Sequence, residues 1–134
     1  MSKSVYLVFS KPPDDLPVHE YERWYHHHVR ENIVVPGFVS AERLAVQQVM
    51  SGTRVAPGKF ESDTGAADGS VSYSHLAMYE YEGSIEQIRD ALFERIQSGE
   101  APLPTWFDRI RFATWNCSSI EGRITPAPYT HRWQ

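Results

Sequence analysis

The chain has 134 residues, 41% hydrophobic and 13% aromatic, with a formal net charge of −4 and one cysteine. That length suits one domain with a core of its own, and a mildly acidic chain without a Lys/Arg run argues against a general nucleic-acid binder and for a small neutral or anionic organic ligand. The lone Cys117 leaves no internal disulfide, and the apolar run in MSKSVYLVFSKPP is too short for a signal peptide or a membrane span, so a soluble, cytoplasmic protein is expected.

Ser4 to Ser10, β-branched and aromatic and followed by KPPDD, reads as a buried strand ending in a turn. The stretch Val18 to Phe38 then reads as an amphipathic helix. On a wheel of about 100° per residue, Tyr21, Tyr25, Val29, Asn32 and Ile33 share the core-facing sector with Val18. Pro17 fits the first turn, Asp14 and Asp15 complement the dipole, and Pro36-Gly37 closes the element.

Three successive histidines on this helix diverge. His27 points to solvent, and His26 lies on one border between Glu22 and Arg30, a spacing for ion pairs. His28 lies on the other border, one turn after Trp24 and three residues after Tyr25. There an imidazole is either a hydrogen-bonded border residue or a proton-transfer group under an aromatic lid. Neighbouring ring directions about 100° apart make a poor metal cage, so no metal is expected.

Phe38 to Gln48 alternates as a second strand, with Val39, Ala41, Arg43, Ala45 and Gln47 on one face. Residues 50–69 are rich in Ser, Gly, Thr, Ala, Asp and Pro, and read as a long mobile loop, either a lid or disordered. Ser70 to Tyr81 reads as a strand whose one face carries Val71, Tyr73, His75, Ala77, Tyr79 and Tyr81, residues suited to a cavity wall with polar handles. Ser84, with Gln87 three residues on, caps a second amphipathic helix whose stripe is Ile85, Ile88, Leu92, Phe93 and Ile96, and Gly99 ends it. After the PLPTWFDR connection, Ile110 to Ile120 forms the last strand, with Trp115 and Cys117 on one face, and a tail without periodicity spans 122–134.

The order β-α-β-β-α-β predicts an α+β, ferredoxin-like fold: a four-stranded antiparallel sheet with both helices on one face. Its other face has few polar positions. A homodimer pairing two such faces is therefore expected.

With the segment WYHHHVREN and the Val35-Pro36-Gly37-Phe38 exit, this order of elements resembles the dimeric α+β barrel superfamily. The similarity is to its small catabolic enzymes: EthD-like proteins, muconolactone isomerases and methylmuconolactone methylisomerases. It covers most of the chain in element order, and the motif match is confined to Trp24-Tyr25, His28 and residues 35–38. Members often have an acidic residue directly before the histidine that His28 matches, where this chain has His27. The superfamily also holds monooxygenases, polyketide cyclases, haem-degrading enzymes and stress-response proteins, so membership alone names no reaction.

The leading expectation is a cofactor-independent isomerase, lyase or cyclase acting next to a carbonyl of a small aromatic-derived or lactone-type metabolite. His28 is the candidate acid or base, His75 the second proton-transfer or orienting group, and Tyr79 or Tyr73 the enolate-stabilising phenol. Trp24, Tyr25, Tyr73 and Trp115 are candidate substrate contacts, and Arg43 a carboxylate clamp. A cofactorless monooxygenase of phenols or hydroquinones and a non-catalytic ligand-binding barrel are the alternatives.

Overall fold

The computed structural model describes residues 4–49, 52–62 and 72–127. In chain order they form β1 (Ser4–Lys11), α1 (Val18–Asn32), β2 (Phe38–Ala45), β3 (Gly52–Ala56), β4 (Lys59–Ser62), β5 (His75–Tyr81), α2 (Ile85–Ser98), a 3-10 turn (Phe107–Arg109) and β6 (Arg111–Ser118). Four strands make one sheet in the order β2-β5-β1-β6, every pair antiparallel. This is the ferredoxin-like α+β fold, with β3 and β4 as a separate hairpin between its second and third sheet strands. No helix among the described residues is long and apolar enough to cross a membrane.

Cross-strand register decides which side chains share a face. Tyr6 lies opposite Tyr79 and Asn116, Val8 opposite Ala77 and Thr114, and Ser10 opposite His75 and Phe112. This is the helix-covered face, because α1 buries Tyr21, Tyr25 and Val29 in one cluster with Ala77 and Tyr79. These three α1 positions are four residues apart and stack on one side of the helix. A second cluster of Val35, Tyr81 and Ile88 seats the start of α2 at the far end of the strands. The opposite face of the sheet carries Val5, Leu7, Phe9, Leu76, Met78 and Trp115, and Trp115 is 61% exposed.

Helix boundaries follow local chemistry. The Ser84 side chain accepts from the Gln87 backbone N–H at 3.2 Å and caps α2, which Gly99 ends in the left-handed region at φ 85°. Pro17 precedes α1 without any side-chain cap, and the acidic Glu20 sits in its first turn.

The stretch read from composition as a loop differs. Residues 52–56 and 59–62 pair as antiparallel strands around Pro57-Gly58, where Gly58 has φ 72°. Proline followed by a left-handed glycine is a tight-turn signature, and it outweighs a polar composition. The rest of that stretch, residues 50–51 and 63–69, lies outside the described residues, as do the first positions expected of the third sheet strand, 70–71, and the end of the tail, 128–134. The strand itself begins at His75 rather than Ser70.

Gly37 joins the α1 exit to β2 at φ 108°, and its carbonyl accepts from Glu82 N–H at 2.8 Å. A Cβ here would lie 2.9 Å from Ile88 Cδ1 and 3.1 Å from the Glu82 carbonyl oxygen. Gly37→Ala is expected to lower unfolding free energy by about 1–3 kcal/mol, the cost of a non-glycine residue in that backbone region plus the crowding. Urea denaturation checks this, and an unshifted midpoint would contradict it.

Candidate active site

Trp24, His28 and Asn32 lie at four-residue steps along one border of α1 and so form a ladder on that side of the helix. The Trp24 indole stacks on the His28 ring at 4.3 Å between centroids and 18° between planes. Tyr25 meets the same imidazole edge-on at 5.7 Å, and Phe107 approaches at 6.4 Å. Trp24 is itself wedged against Trp106 and Phe107, which follow α2 in the chain. The imidazole is thereby held at a fixed tilt.

The Asn32 amide links two polar groups. Its Nδ2 lies 3.2 Å from His28 Nε2 and donates to the Tyr79 hydroxyl at 3.4 Å. An amide N–H donating to Nε2 requires that nitrogen to be the acceptor, which leaves the ring proton on Nδ1. Burial pushes the His28 pKa down to about 4, so the ring is neutral at pH 7. Burial also pushes Tyr79 up to about 12, the Asn32 bond opposing it. Tyr79 thus accepts from Asn32 and keeps its own proton, for which no acceptor lies within reach among the described residues.

These groups line a cavity of about 330 Å³ between the sheet and the two helices. Tyr25, His28, Asn32 and Tyr79 form part of its wall, and Leu92, Phe93 and Ile96 of α2 face them. Leu103, Phe107 and Ile110 continue the apolar side. The volume is at the small end for ligand pockets, and the mix of apolar wall and a few convergent polar groups is typical of them.

His75 belongs to a different cluster. Its Nε2 lies 2.5 Å from Glu22 Oε1 and its Nδ1 2.7 Å from Ser74 Oγ, while the ring meets the edge of Tyr21 at 4.9 Å. Arg43 donates to Glu22 Oε2 at 2.9 Å and lies 5.1 Å from the centre of the Tyr25 ring. Partial burial favours the neutral acid of Glu22, but the Arg43 hydrogen bond and charge, with His75, hold its carboxyl below the usual range. Neither His75 nor Arg43 lines the His28 cavity; Arg43 lines a separate groove with His26 and Arg30.

Two further candidates lie on the other face. Tyr73, in the connection before β5, packs on Phe9 at 6.1 Å, because the alternation that put it beside His75 does not extend past the start of the strand. Trp115 pairs in register with Leu7 on the open face, and Cys117 shares that side, exposed and reduced. Both Tyr73 and Trp115 are therefore separated from His28 by the sheet. Of the residues expected in one site, the structure brings together Trp24, Tyr25, His28 and Tyr79. Asn32 was expected only as a core-facing position, and the Trp24, His28, Asn32 spacing was the signal for it. Among the described residues, no three His, Cys, Asp or Glu side chains are grouped as metal ligands.

No protein-family model matches the chain, and neither does any curated protein sequence. Solved structures do. A provisionally assigned monooxygenase from Shewanella loihica PV-4 is similar over 91% of this chain and 99% of its own, at 13% identity and a TM-score of 0.50. A dimeric ferredoxin-like protein from an uncultured marine organism is similar over 92% and 100%, at 10% identity and a TM-score of 0.46. At such identities the likeness is one of fold.

The depressed pKa of His28 has a consequence for stability. Between about pH 4 and 6.5 the unfolded chain takes up a proton on this histidine that the folded protein does not. Its contribution is therefore complete above pH 6.5 and falls as pH drops towards 4, by about 1.4 kcal/mol per unit. Wild type is expected to lose roughly 2 kcal/mol more than His28→Gln between pH 6.5 and 4.5, read from urea unfolding at each pH. Parallel pH profiles would contradict the burial of a neutral ring.

Proposed function

We propose that the protein is a cofactor-independent enzyme that moves a proton next to a carbonyl of a small aromatic-derived or lactone-type metabolite, with isomerase or lyase outcome. The observation that carries this is the half-buried neutral imidazole of His28 in a cavity wall, bridged by Asn32 to a phenol with a proton to give. In this reading His28 Nε2 is the general base. Substrate binding draws the Asn32 amide off the lone pair, as catalytic hydrogen bonds rearrange between resting and Michaelis states. The Tyr79 O–H donates to the carbonyl oxygen as negative charge develops on it, the role of an oxyanion donor. Trp24 holds the ring from behind by stacking, and Tyr25 both meets the ring and forms cavity wall. This keeps the EthD-like and muconolactone isomerase-like branch as the source of the reaction class, with His75 outside the proton path.

A base of this kind works when unprotonated. Its activity should fall with decreasing pH through about 4, rather than through the ordinary histidine value of 6.5. His28→Gln is expected to lower turnover by about two or more orders of magnitude, the usual worth of a positioned base. The assay is mass-resolved conversion of a panel of lactones and small aromatic carbonyl compounds under argon, with kcat/KM followed across pH. Wild-type turnover in His28→Gln removes His28 from the mechanism.

A cofactorless monooxygenase is the second reading. The favouring observation is again the neutral base in an apolar aromatic cavity, which suits deprotonation of a phenol or hydroquinone before reaction with oxygen. Conversion only in air, with oxygen added to the product, selects it over the first.

We also infer that two copies pair through the open sheet face. Leu7, Phe9, Leu76, Met78 and Trp115 make an apolar surface of the kind that marks a protein interface. Trp115→Glu should convert the dimer to monomer in light scattering, and a wild-type monomer at assay concentration would refute this.

A further inference from the structure

Among the described residues lining the cavity one is fully charged, Arg89 of α2, an exposed residue. Its other polar members are neutral: the hydroxyls of Tyr6, Ser10, Tyr25, Tyr79 and Thr114, the Asn32 amide, and the neutral His28 ring. Among the described residues no carboxylate lines the cavity to balance the guanidinium. Among the described residues Arg89 makes no hydrogen bond or ion pair. Of the acids near it on the helix, Asp90 follows directly and points about 100° away, while Glu86, one turn earlier, is held by its own backbone N–H and by the Ser84 hydroxyl at 3.0 Å, with the charge of Arg89 contributing least to its lowered pKa.

The lining is also sorted along its length. Arg89, Leu92, Phe93 and Ile96 recur at helical spacing over one stripe of α2, roughly 10 Å at 1.5 Å per residue. Arg89 begins that stripe, next to Ile88, which packs with Tyr81 and Tyr6. Tyr6 lies opposite Tyr79 in the sheet, and Tyr79 receives the Asn32 amide. The cation, the unspent phenol proton and the amide therefore lie towards one end. Ile96 lies at the other end of the stripe, where Phe107 and Ile110 lead into β6, and here the lining is mainly apolar, its polar members being the neutral His28 ring beside Phe107 and the Ser10 hydroxyl opposite Phe112.

We propose that this cavity recognises an organic carboxylate with an unsaturated or aromatic body, the carboxylate paired with Arg89 at the Tyr79 end and the hydrocarbon lying against Ile96, Phe107 and Ile110. The physical basis is an exposed guanidinium at the edge of the cavity, with no carboxylate among the described lining residues, placed so that it can make a charge-assisted, two-pronged contact with an anion seated inside. This rests on the cavity being the substrate site, and it narrows the substrate to an anion. It also assigns the carboxylate clamp to Arg89, since Arg43 is already engaged by Glu22.

The test needs binding, not turnover. Calorimetric titration would compare cinnamate with cinnamamide, its neutral isostere, against wild type, Arg89→Gln and Arg23→Gln. Arg23 is an exposed residue of α1 and controls for the loss of one charge. Cinnamate is expected to bind wild type at least about tenfold more tightly than the amide, a factor in keeping with a charge-assisted bond. Arg89→Gln should remove that preference, and Arg23→Gln should keep it. Equal affinity for acid and amide, a preference that survives in Arg89→Gln, or no saturable binding of cinnamate up to about 10 mM would each overturn the proposal. His28→Gln separates the two readings. If it loses turnover and keeps the acid preference, both stand; if turnover is untouched and Arg89 still selects the acid, only the base assignment fails.

Discussion

Every phenol, imidazole and amide that α1 and the sheet bring together must find a partner for its polar tip, and that requirement organises this core. Tyr21 donates to Ser10 Oγ at 2.5 Å, Tyr81 donates to Asn116 Oδ1, and Asn32 serves both His28 and Tyr79. A buried donor or acceptor left unpaired costs about 1–3 kcal/mol, more than the bond itself contributes when made. Each pairing above, apart from that of Asn32 with His28, crosses from one element to another. The partners therefore fix the rotation and height of α1 on the sheet more tightly than apolar contact alone, which tolerates sliding. Tyr21 and Ser10 lock one end of the helix, and Asn32 and Tyr79 lock the other.

Once that rotation is fixed, the two borders of α1 acquire opposite electrostatics. On the border towards β2, Glu22 keeps its charge because Arg43 lies beside it and only part of its surface is lost to water. On the border towards α2, His28 has aromatic rings and an amide around it but no carboxylate, so burial prevails and the ring stays neutral. Two histidines, His75 and His28, are consequently given different tasks by their neighbours: one bonded to a carboxylate and a serine, the other to a neutral amide in a cavity. His27 adds a third environment, exposed on the outer side of the helix, while His26, also exposed, borders the groove that Arg43 lines.

The sequence revealed those features that depend on near neighbours. The α1 stripe of Tyr21, Tyr25 and Val29, the Ser84 cap and the Gly99 stop are all set by residues within a turn or two. The placing of His28 on a half-buried border under Trp24 is likewise a matter of four-residue spacing. Long-range choices were not readable in the same way. Alternation put Trp115 on one side of β6 without saying which side the helices cover, and it is the register with Leu7 that answers. Arg43 had an acid to find in Glu22, 21 residues earlier, and no local pattern signals that pair. Tyr73 was assigned by extending a two-residue period beyond the strand that generates it. The β3–β4 hairpin was legible in Pro57-Gly58, but the polar stretch around it masked the signal.

Asn32 connects the stability of the core to the proposed chemistry. Its amide nitrogen serves both groups, 3.2 Å from His28 Nε2 and 3.4 Å from the Tyr79 hydroxyl, the second being long for an amide donor. A ligand oxygen that accepts a hydrogen bond from the Tyr79 O–H makes that hydroxyl a better acceptor in turn, since chained hydrogen bonds polarise one another, and so draws the amide towards Tyr79. The same movement uncovers the lone pair of His28 Nε2. Under the proposed mechanism the base is thus shielded in the empty cavity and exposed by the substrate group that needs it. The stacked Trp24 indole meanwhile keeps the imidazole from following the amide.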